Sequence, residues 1–144
     1  MTDYYKMRAK AVFQGKLKGS EIDFIQGPQY VTIKGKLQGL PPGEHGFHIH
    51  EFGHPECSKA GSHFNPDGYA HGGLHDNISH AGDLGNVRNG LVYLRTKKFS
   101  LTGKRGVIGR SLILHEGEDD LGKSGDPTGK AGKRLDCSII GYAP

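Results

Sequence analysis

Tyr30-Val31-Thr32-Ile33-Lys34-Gly35-Lys36-Leu37 decides the fold class. Val31, Ile33 and Leu37 alternate with Thr32, Lys34 and Lys36 in a rough period of two. Successive side chains of a strand point to opposite faces, so this run reads as a strand with one dry and one wet face. Gly27-Pro28 before it and Pro41-Pro42-Gly43 after it break the chain. Working outward, Ala9 to Gln14, Glu21 to Gln26, Gly46 to Glu51, Leu91 to Lys97, Val107 to Leu114 and Ser138 to Tyr142 continue the series. No stretch carries a helical period. Many short strands between turn signals predict an all-β sandwich or barrel.

Two segments interrupt this pattern. Phe52 to His80 is polar and rich in His, Gly, Asn and Pro; Glu116 to Lys133 is rich in Gly, Asp and Lys. Connections this long inside a compact domain are either functional or disordered. For the first, the histidines argue for function. The chain has nine histidines, and all but His115 lie between His45 and His80.

The bulk numbers set the frame. At 144 residues the chain suits one domain, 1–144, with one core. Its 24 glycines follow no collagen period and point to tight turns and ordered loops. The net charge of +4 fits either an anionic partner or simple solubility, and the basic residues form no long run, which argues against nucleic acid. Met1 to Lys10 lacks an apolar leader, and no segment approaches the roughly 18 apolar residues that span a bilayer. A cytoplasmic protein without membrane contact is the expectation. In that compartment the ordinary reading of Cys57 and Cys137 is two free thiols.

His48-Ile49-His50 falls in a predicted strand, where residues two apart share a face, so both imidazoles can approach one ion. Alone this pair is weak evidence. His63, His71, His80 and Asp83 follow at intervals of eight, nine and three residues. That is too irregular for one helix or strand. Three imidazoles and a carboxylate nonetheless make a complete tetrahedral set for zinc, and a folded loop could gather them. His115 ends the run Arg110-Ser111-Leu112-Ile113-Leu114-His115, where it could reach a metal on a neighbouring strand. The ordinary reading of any one of these residues is an exposed histidine.

Taken together the residues resemble the copper/zinc superoxide dismutase family. The resemblance rests on His45-Gly-Phe-His-Ile-His-Glu-Phe-Gly53, Ala60-Gly-Ser-His-Phe-Asn-Pro66, His71-Gly-Gly73, His80-Ala-Gly-Asp-Leu-Gly-Asn-Val87, Ile108-Gly-Arg-Ser-Leu-Ile-Leu-His-Glu116, Asp119-Asp-Leu-Gly-Lys123 and Arg134-Leu-Asp-Cys137. It runs in order from about Ala9 to the C-terminus. It implies a Greek-key β-sandwich or flattened barrel of about eight antiparallel strands with two long functional loops. It implies copper on His48, His50, His63 and His115, and zinc on His63, His71, His80 and Asp83, with the His63 ring shared. Asp119 matches a carboxylate linking His48 to His71. Arg134 matches an arginine that guides the anion beside copper, and Cys57 and Cys137 match a disulfide. The implied activity is dismutation of superoxide by alternating reduction and oxidation of copper, with zinc structural. The implied partners are superoxide, a second copy of the chain, and a copper chaperone that could load the site.

The chain departs from the family pattern in several places. The stretch from His50 to Cys57 is shorter by about two residues, Arg88 to Gly106 is also short, and Glu116 to Lys133 is trimmed. Lys123, Lys130 and Lys133 could still guide an anion, with Glu116, Glu118 and Asp126 opposing them. Ile108-Gly109 and Ile139-Ile140-Gly141 resemble parts of the family's subunit contact, although Ile108 and Ile140 suit a core equally well. His54 and His75 match no ligand and are expected to be exposed; His45 suits packing. Two other readings remain open from sequence: a catalytically silent metal-binding homologue, and a copper carrier.

Overall fold

The computed structural model describes residues 7–144; residues 1–6, part of the stretch Met1 to Lys10 considered above, lie outside the described residues. Nine strands follow in order: β1 (Arg8–Val12), β2 (Glu21–Gln26), β3 (Val31–Lys36), β4 (His45–His50), β5 (Asp83–Val87), β6 (Leu91–Thr96), β7 (Ser111–His115), β8 (Arg134–Ile139) and β9 (Gly141–Ala143). They form a five-stranded sheet, β6-β3-β2-β1-β9, and a four-stranded sheet, β5-β4-β7-β8. Every pairing is antiparallel. β3 pairs with β6, and β4 with β7, so the chain crosses between the sheets four times, after β3, β5, β6 and β8, in Greek-key fashion.

The alternation seen in the sequence builds the first sheet. Ala9 and Ala11 of β1, Ile22 and Phe24 of β2, and Val31 and Ile33 of β3 are buried, while Lys10, Asp23, Lys34 and their neighbours face outward. In register, Phe24 lies opposite Ile33 and Ala9 opposite Phe24, so apolar side chains stack on one face. A slip of one residue would turn all of them to water. They meet Phe47 and Ile49 of β4 and Leu112 and Leu114 of β7 in one apolar core, with Phe13, Leu17, Leu84 and Leu101.

The second sheet breaks the alternation. Every residue of β4 and β7 is buried. Phe47, Ile49, Leu112 and Leu114 supply the core face; the other face carries His48, His50 and Ile113, roofed by the segments 51–82 and 116–133. A strand buried on both faces holds polar side chains only if they find partners.

Three details differ from the sequence expectation. Residues 107–110 form a turn before β7 rather than part of it, because Gly109 sits at φ +93 and Arg110 donates its N–H back to the Val107 carbonyl. β5 starts at Asp83, where the sequence showed only loop; Gly85 at φ +83 and Asn86 disrupt its pattern. The C-terminal run is two strands, β8 and β9, that belong to different sheets and part at the fully buried Ile140. Ile140 is thus a core residue, Ile108 is partly buried against the core, and Ile139 is exposed.

Candidate metal centre

The site begins with two irregularities in the second sheet. Between β4 and β5 the register shifts by one residue, so that His48 stands directly opposite Asp83. Between β7 and β8 a second shift sets His115 opposite Arg134. Bulges of this kind re-aim side chains without breaking the sheet. An isolated bridge joins His50 to His63, which draws the long loop onto the end of β4.

Four imidazoles converge as a result. Donor atoms of His48, His50, His63 and His115 lie within 4.8 Å of one another, and all four residues are buried. On the far side of His63 a second group gathers. His63 Nδ1 is 3.1 Å from His80 Nδ1 and 3.0 Å from Asp83 Oδ1, and His71 Nδ1 is 3.0 Å from Asp83 Oδ2. Distance alone would also admit His48 to this second group. We place it with the first, because its Nε2 is taken by Asp119 and His80 fills the corresponding position beside Asp83. The His48 and His63 rings stack with centroids 3.9 Å apart, so the two groups share a wall.

The donor chemistry tests whether metal ions fit. His48 Nδ1, His50 Nε2, His71 Nδ1 and His115 Nε2 are buried side-chain nitrogens without a hydrogen-bond partner. Buried polar atoms left bare cost free energy, and four that converge make a donor set that fits cations. In each ring the opposite nitrogen is held. His50 Nδ1 donates to the Gly61 carbonyl at 2.8 Å and His115 Nδ1 to the Gly132 carbonyl at 3.1 Å. His48 Nε2 donates to Asp119 Oδ2, and His71 Nε2 donates to Asp119 Oδ1 at 2.7 Å. These bonds fix each tautomer so that the bare nitrogen faces inward.

Asp119 is 1% exposed and joins the two groups. Its Oδ1 also accepts the Leu121 N–H at 2.7 Å, and its backbone is gripped by the Asn86 side chain on β5. Gly129 packs against this bridge at φ +72. A β-carbon there would lie 2.5 Å from Asp119 Oδ1 and 2.6 Å from His71 Nε2, so only glycine fits.

The electrostatics follow from burial. In the metal-free protein, burial above all lowers His48 to about 3, His50 to about 2 and His115 to about 4, with His63 adding repulsion. His71 is raised to about 10: burial opposes the charge, but the bond to Asp119 and the negative charge of Asp83 outweigh it. Burial would also raise Asp83 and Asp119. Hydrogen bonds from the surrounding imidazoles nevertheless hold both carboxyls well below the carboxylate range.

The first group opens onto a cavity of about 700 Å³ walled by His50, His63, His115, Thr128, Lys130 and Arg134. Arg134 is aimed by two backbone carbonyls, Nη1 donating to Cys57 at 2.5 Å and Nη2 to Gly61 at 2.6 Å. Cys57 is joined to Cys137 by a disulfide, not free, so the carbonyl that aims Arg134 is itself tied to β8. Of the three lysines considered from sequence, only Lys130 lines the cavity.

Other residues are set as follows. His75 is exposed. His54 is half-buried rather than exposed, and its Nδ1 accepts the Glu56 N–H at 3.0 Å. His45 is buried, with Nδ1 2.9 Å from the His115 carbonyl and Nε2 2.7 Å from the Pro41 carbonyl, a packing role that also braces His115. Sequence reasoning missed Gly61 and Gly132, whose carbonyls orient His50 and His115; a carbonyl leaves no trace in residue identity. It also missed Asn86, although it sits inside the matched motif around Asp83.

Comparison with known proteins agrees with this architecture. The family model described as copper/zinc superoxide dismutase (SODC) matches residues 18–140. The superoxide dismutase (Cu-Zn) A of Xenopus laevis is 48% identical over 79% of this chain and 82% of its own length. The extracellular superoxide dismutase (Cu-Zn) of Onchocerca volvulus is 44% identical over 94% of this chain and 76% of its own. The human copper chaperone for superoxide dismutase is also 48% identical, over 83% of this chain but only 47% of its own length. A crystal structure of the clock protein EA4 superposes with a TM-score of 0.90 at 40% identity, covering 96% of each chain. Fold, motif order and these relatives agree that the chain belongs to the copper/zinc superoxide dismutase family.

Proposed function

We propose that this protein is an active superoxide dismutase, converting two superoxide anions and two protons to oxygen and hydrogen peroxide. The observation that carries the reading is the cluster of bare inward nitrogens on His48, His50 and His115 beside His63, opening on a cavity that Arg134 lines. His48, His50, His63 and His115 would hold copper; His63, His71, His80 and Asp83 would hold zinc. Copper supplies a one-electron couple that zinc lacks, whereas zinc is structural.

The chain's own groups have definite tasks in this scheme. Arg134 binds the anion: its guanidinium keeps its charge at any working pH, and two of its five donors are already fixed to carbonyls. His63 Nδ1 is committed among His80 and Asp83, which leaves Nε2 on the cavity side to take up a proton and hand it to peroxide as it forms. Asp119 keeps His48 and His71 in the tautomers that face inward. Burial of the His48 ring excludes water from the back of the cluster.

The relatives named copper chaperones favour a second reading, copper delivery to a partner. Against it, both cysteines of this chain are locked in the disulfide, so no soft, exchangeable thiol remains. We further propose a homodimer formed through the exposed Phe52 and Ile139, around the close approach of Gly53 to Gly109. The cytoplasmic location expected above is proposed with it, to be tested by cell fractionation.

Metal analysis combined with a superoxide-decay assay tests the main reading. One copper and one zinc per chain, fast decay, and its loss in His115→Ala are expected. Equal decay by the parent and His115→Ala would refute the scheme, as would metal binding without decay. Copper released readily to an acceptor would favour the carrier.

A further inference from the structure

Of the five cations in the connection between β6 and β7, two, Lys98 and Arg105, hold the loop between His63 and His80, and the proposed reaction uses neither. Lys98 lies just beyond β6 and is half-buried beside the buried Phe99. Its Nζ donates to the Gly73 carbonyl at 3.0 Å and to Ser79 Oγ at 2.5 Å. These two partners stand near the two ends of the segment between His71 and His80. The segment is also closed on itself: Gly73 N–H bonds to Asp76 Oδ2 at 2.7 Å, and Ser79 Oγ to the Asp76 carbonyl at 3.3 Å. The Lys98 backbone is fixed in turn. Its carbonyl accepts from Arg105 Nε at 2.8 Å and from Arg105 Nη2, and its N–H donates to Thr96 Oγ1 at 3.1 Å.

Arg105 reaches the loop as well. Its Nη1 bonds to Asp67 Oδ1 at 2.5 Å, and Asp67 lies between His63 and His71. Each arc of loop between successive histidines of the second group is therefore tied to the barrel by one of these cations. Lys98 holds the more critical arc. His71 and His80 must meet Asp83 from opposite ends of it, and neither sits on a strand. Burial lowers the Lys98 ammonium somewhat, while Asp83 and Asp76 attract it, so the charge is drawn toward the metal loop rather than toward solvent.

We propose that Lys98 is a positioning residue for the zinc-side half of the centre, its ammonium spanning Gly73 and Ser79 so that His71 and His80 arrive at Asp83 together. The inference rests on the assignment of His63, His71, His80 and Asp83 to zinc. An unpinned loop could still fold around the metal, but part of the binding free energy would go into ordering it. The aliphatic stem would keep its packing without the charge, so Lys98→Met separates the two contributions.

The test is zinc affinity, measured on the full chain by competition with a chelator, for the parent, Lys98→Met, Lys98→Arg, Ser79→Ala and the Lys98→Met/Ser79→Ala double variant. Lys98→Met should weaken zinc roughly tenfold, the lower end of the range for groups that orient metal ligands. Lys98→Arg should recover most of the loss, and the double variant should be no worse than Lys98→Met. The melting point of the zinc-loaded protein should fall more than that of the metal-free protein. Parent-like zinc affinity in Lys98→Met would overturn the inference, and so would equal destabilisation of both forms, which marks plain packing. Should Lys98→Met fail to fold, Ser79→Ala decides alone by the same two criteria. A parent protein that binds no zinc would instead refute the metal assignment itself, and this inference with it.

Discussion

Replacing Asp119 by asparagine changes almost no volume, yet it should cost one of the two metals. The wild-type carboxylate accepts from three donors: His48 Nε2, His71 Nε2 at 2.7 Å and the Leu121 N–H at 2.7 Å. An amide keeps one acceptor oxygen and offers an NH2 where the other stood. One imidazole can keep its partner; the second meets a donor. In that ring the proton must move from Nε2 to Nδ1, the nitrogen that is bare and turned toward the cluster. A metal then has to displace this proton and also face a mismatched contact behind the ring. A hydrogen bond to a charged group is worth about 1.5–3 kcal/mol. At about 1.4 kcal/mol per decade, affinity at one site should fall roughly 10–100-fold, and the other site should change less. Asp119→Ala removes both acceptors and should weaken both sites. Each variant would be loaded with zinc and copper, dialysed against chelators of graded strength, and its metal content measured. Parent-like retention of both metals in Asp119→Asn would refute the reasoning, as would an Asp119→Ala variant that loses only one.

Other consequences of the geometry can be checked separately. Without metal, the protein should lose stability as the pH falls below about 6.5. His48, His50 and His115 stay neutral when folded, at about 3, 2 and 4, but accept protons when unfolded. Their contribution is complete above 6.5 and shrinks by up to about 2 kcal/mol per ring by pH 5. His71, raised to about 10, stays charged when folded and works the other way, offsetting under about 1 kcal/mol of that loss between pH 7 and pH 5, since its unfolded form also takes up a proton near 6.5. Urea midpoints of the metal-free protein that are equal at pH 7 and pH 5 would contradict this. Reducing the disulfide, which closes a separation of 80 residues, should cost roughly 4–5 kcal/mol in the chain-entropy model. It should also free the Cys57 carbonyl that aims Arg134, so anion affinity of the metal-loaded protein should fall along with the melting point. Gly129→Ala should push on Asp119 and His71 and strain a left-handed backbone, lowering zinc retention even in protein that folds. Asp136→Ala should destabilise the fold by about 1–3 kcal/mol in thermal melts, because Asp136 Oδ2 is the buried acceptor of the Leu17 N–H at 2.8 Å.

Sequence by itself determined the local half of this protein. Alternation in residues 31–36 fixed a strand with one buried face, because side-chain direction in extended backbone depends only on neighbours in the chain. The spacing of His48 and His50 put both rings on one face for the same reason, and the order of motifs pointed to the family before any coordinates. Tertiary structure alone decided the rest. β5 and β8 were hard to see because Asp83, Asn86, Arg134 and Asp136 are polar residues whose burial depends on partners far along the chain. Nothing in residues 110–115 or 134–137 indicates that a register shift sets His115 opposite Arg134. Nor does residue identity reveal that the carbonyls of Gly61 and Gly132 choose the tautomers of His50 and His115. Periodicity is a property of adjacent residues and can be read along a chain. Convergence of nitrogens from residues 48, 50, 63 and 115 depends on how two sheets and two loops pack, and that is settled only when the core closes.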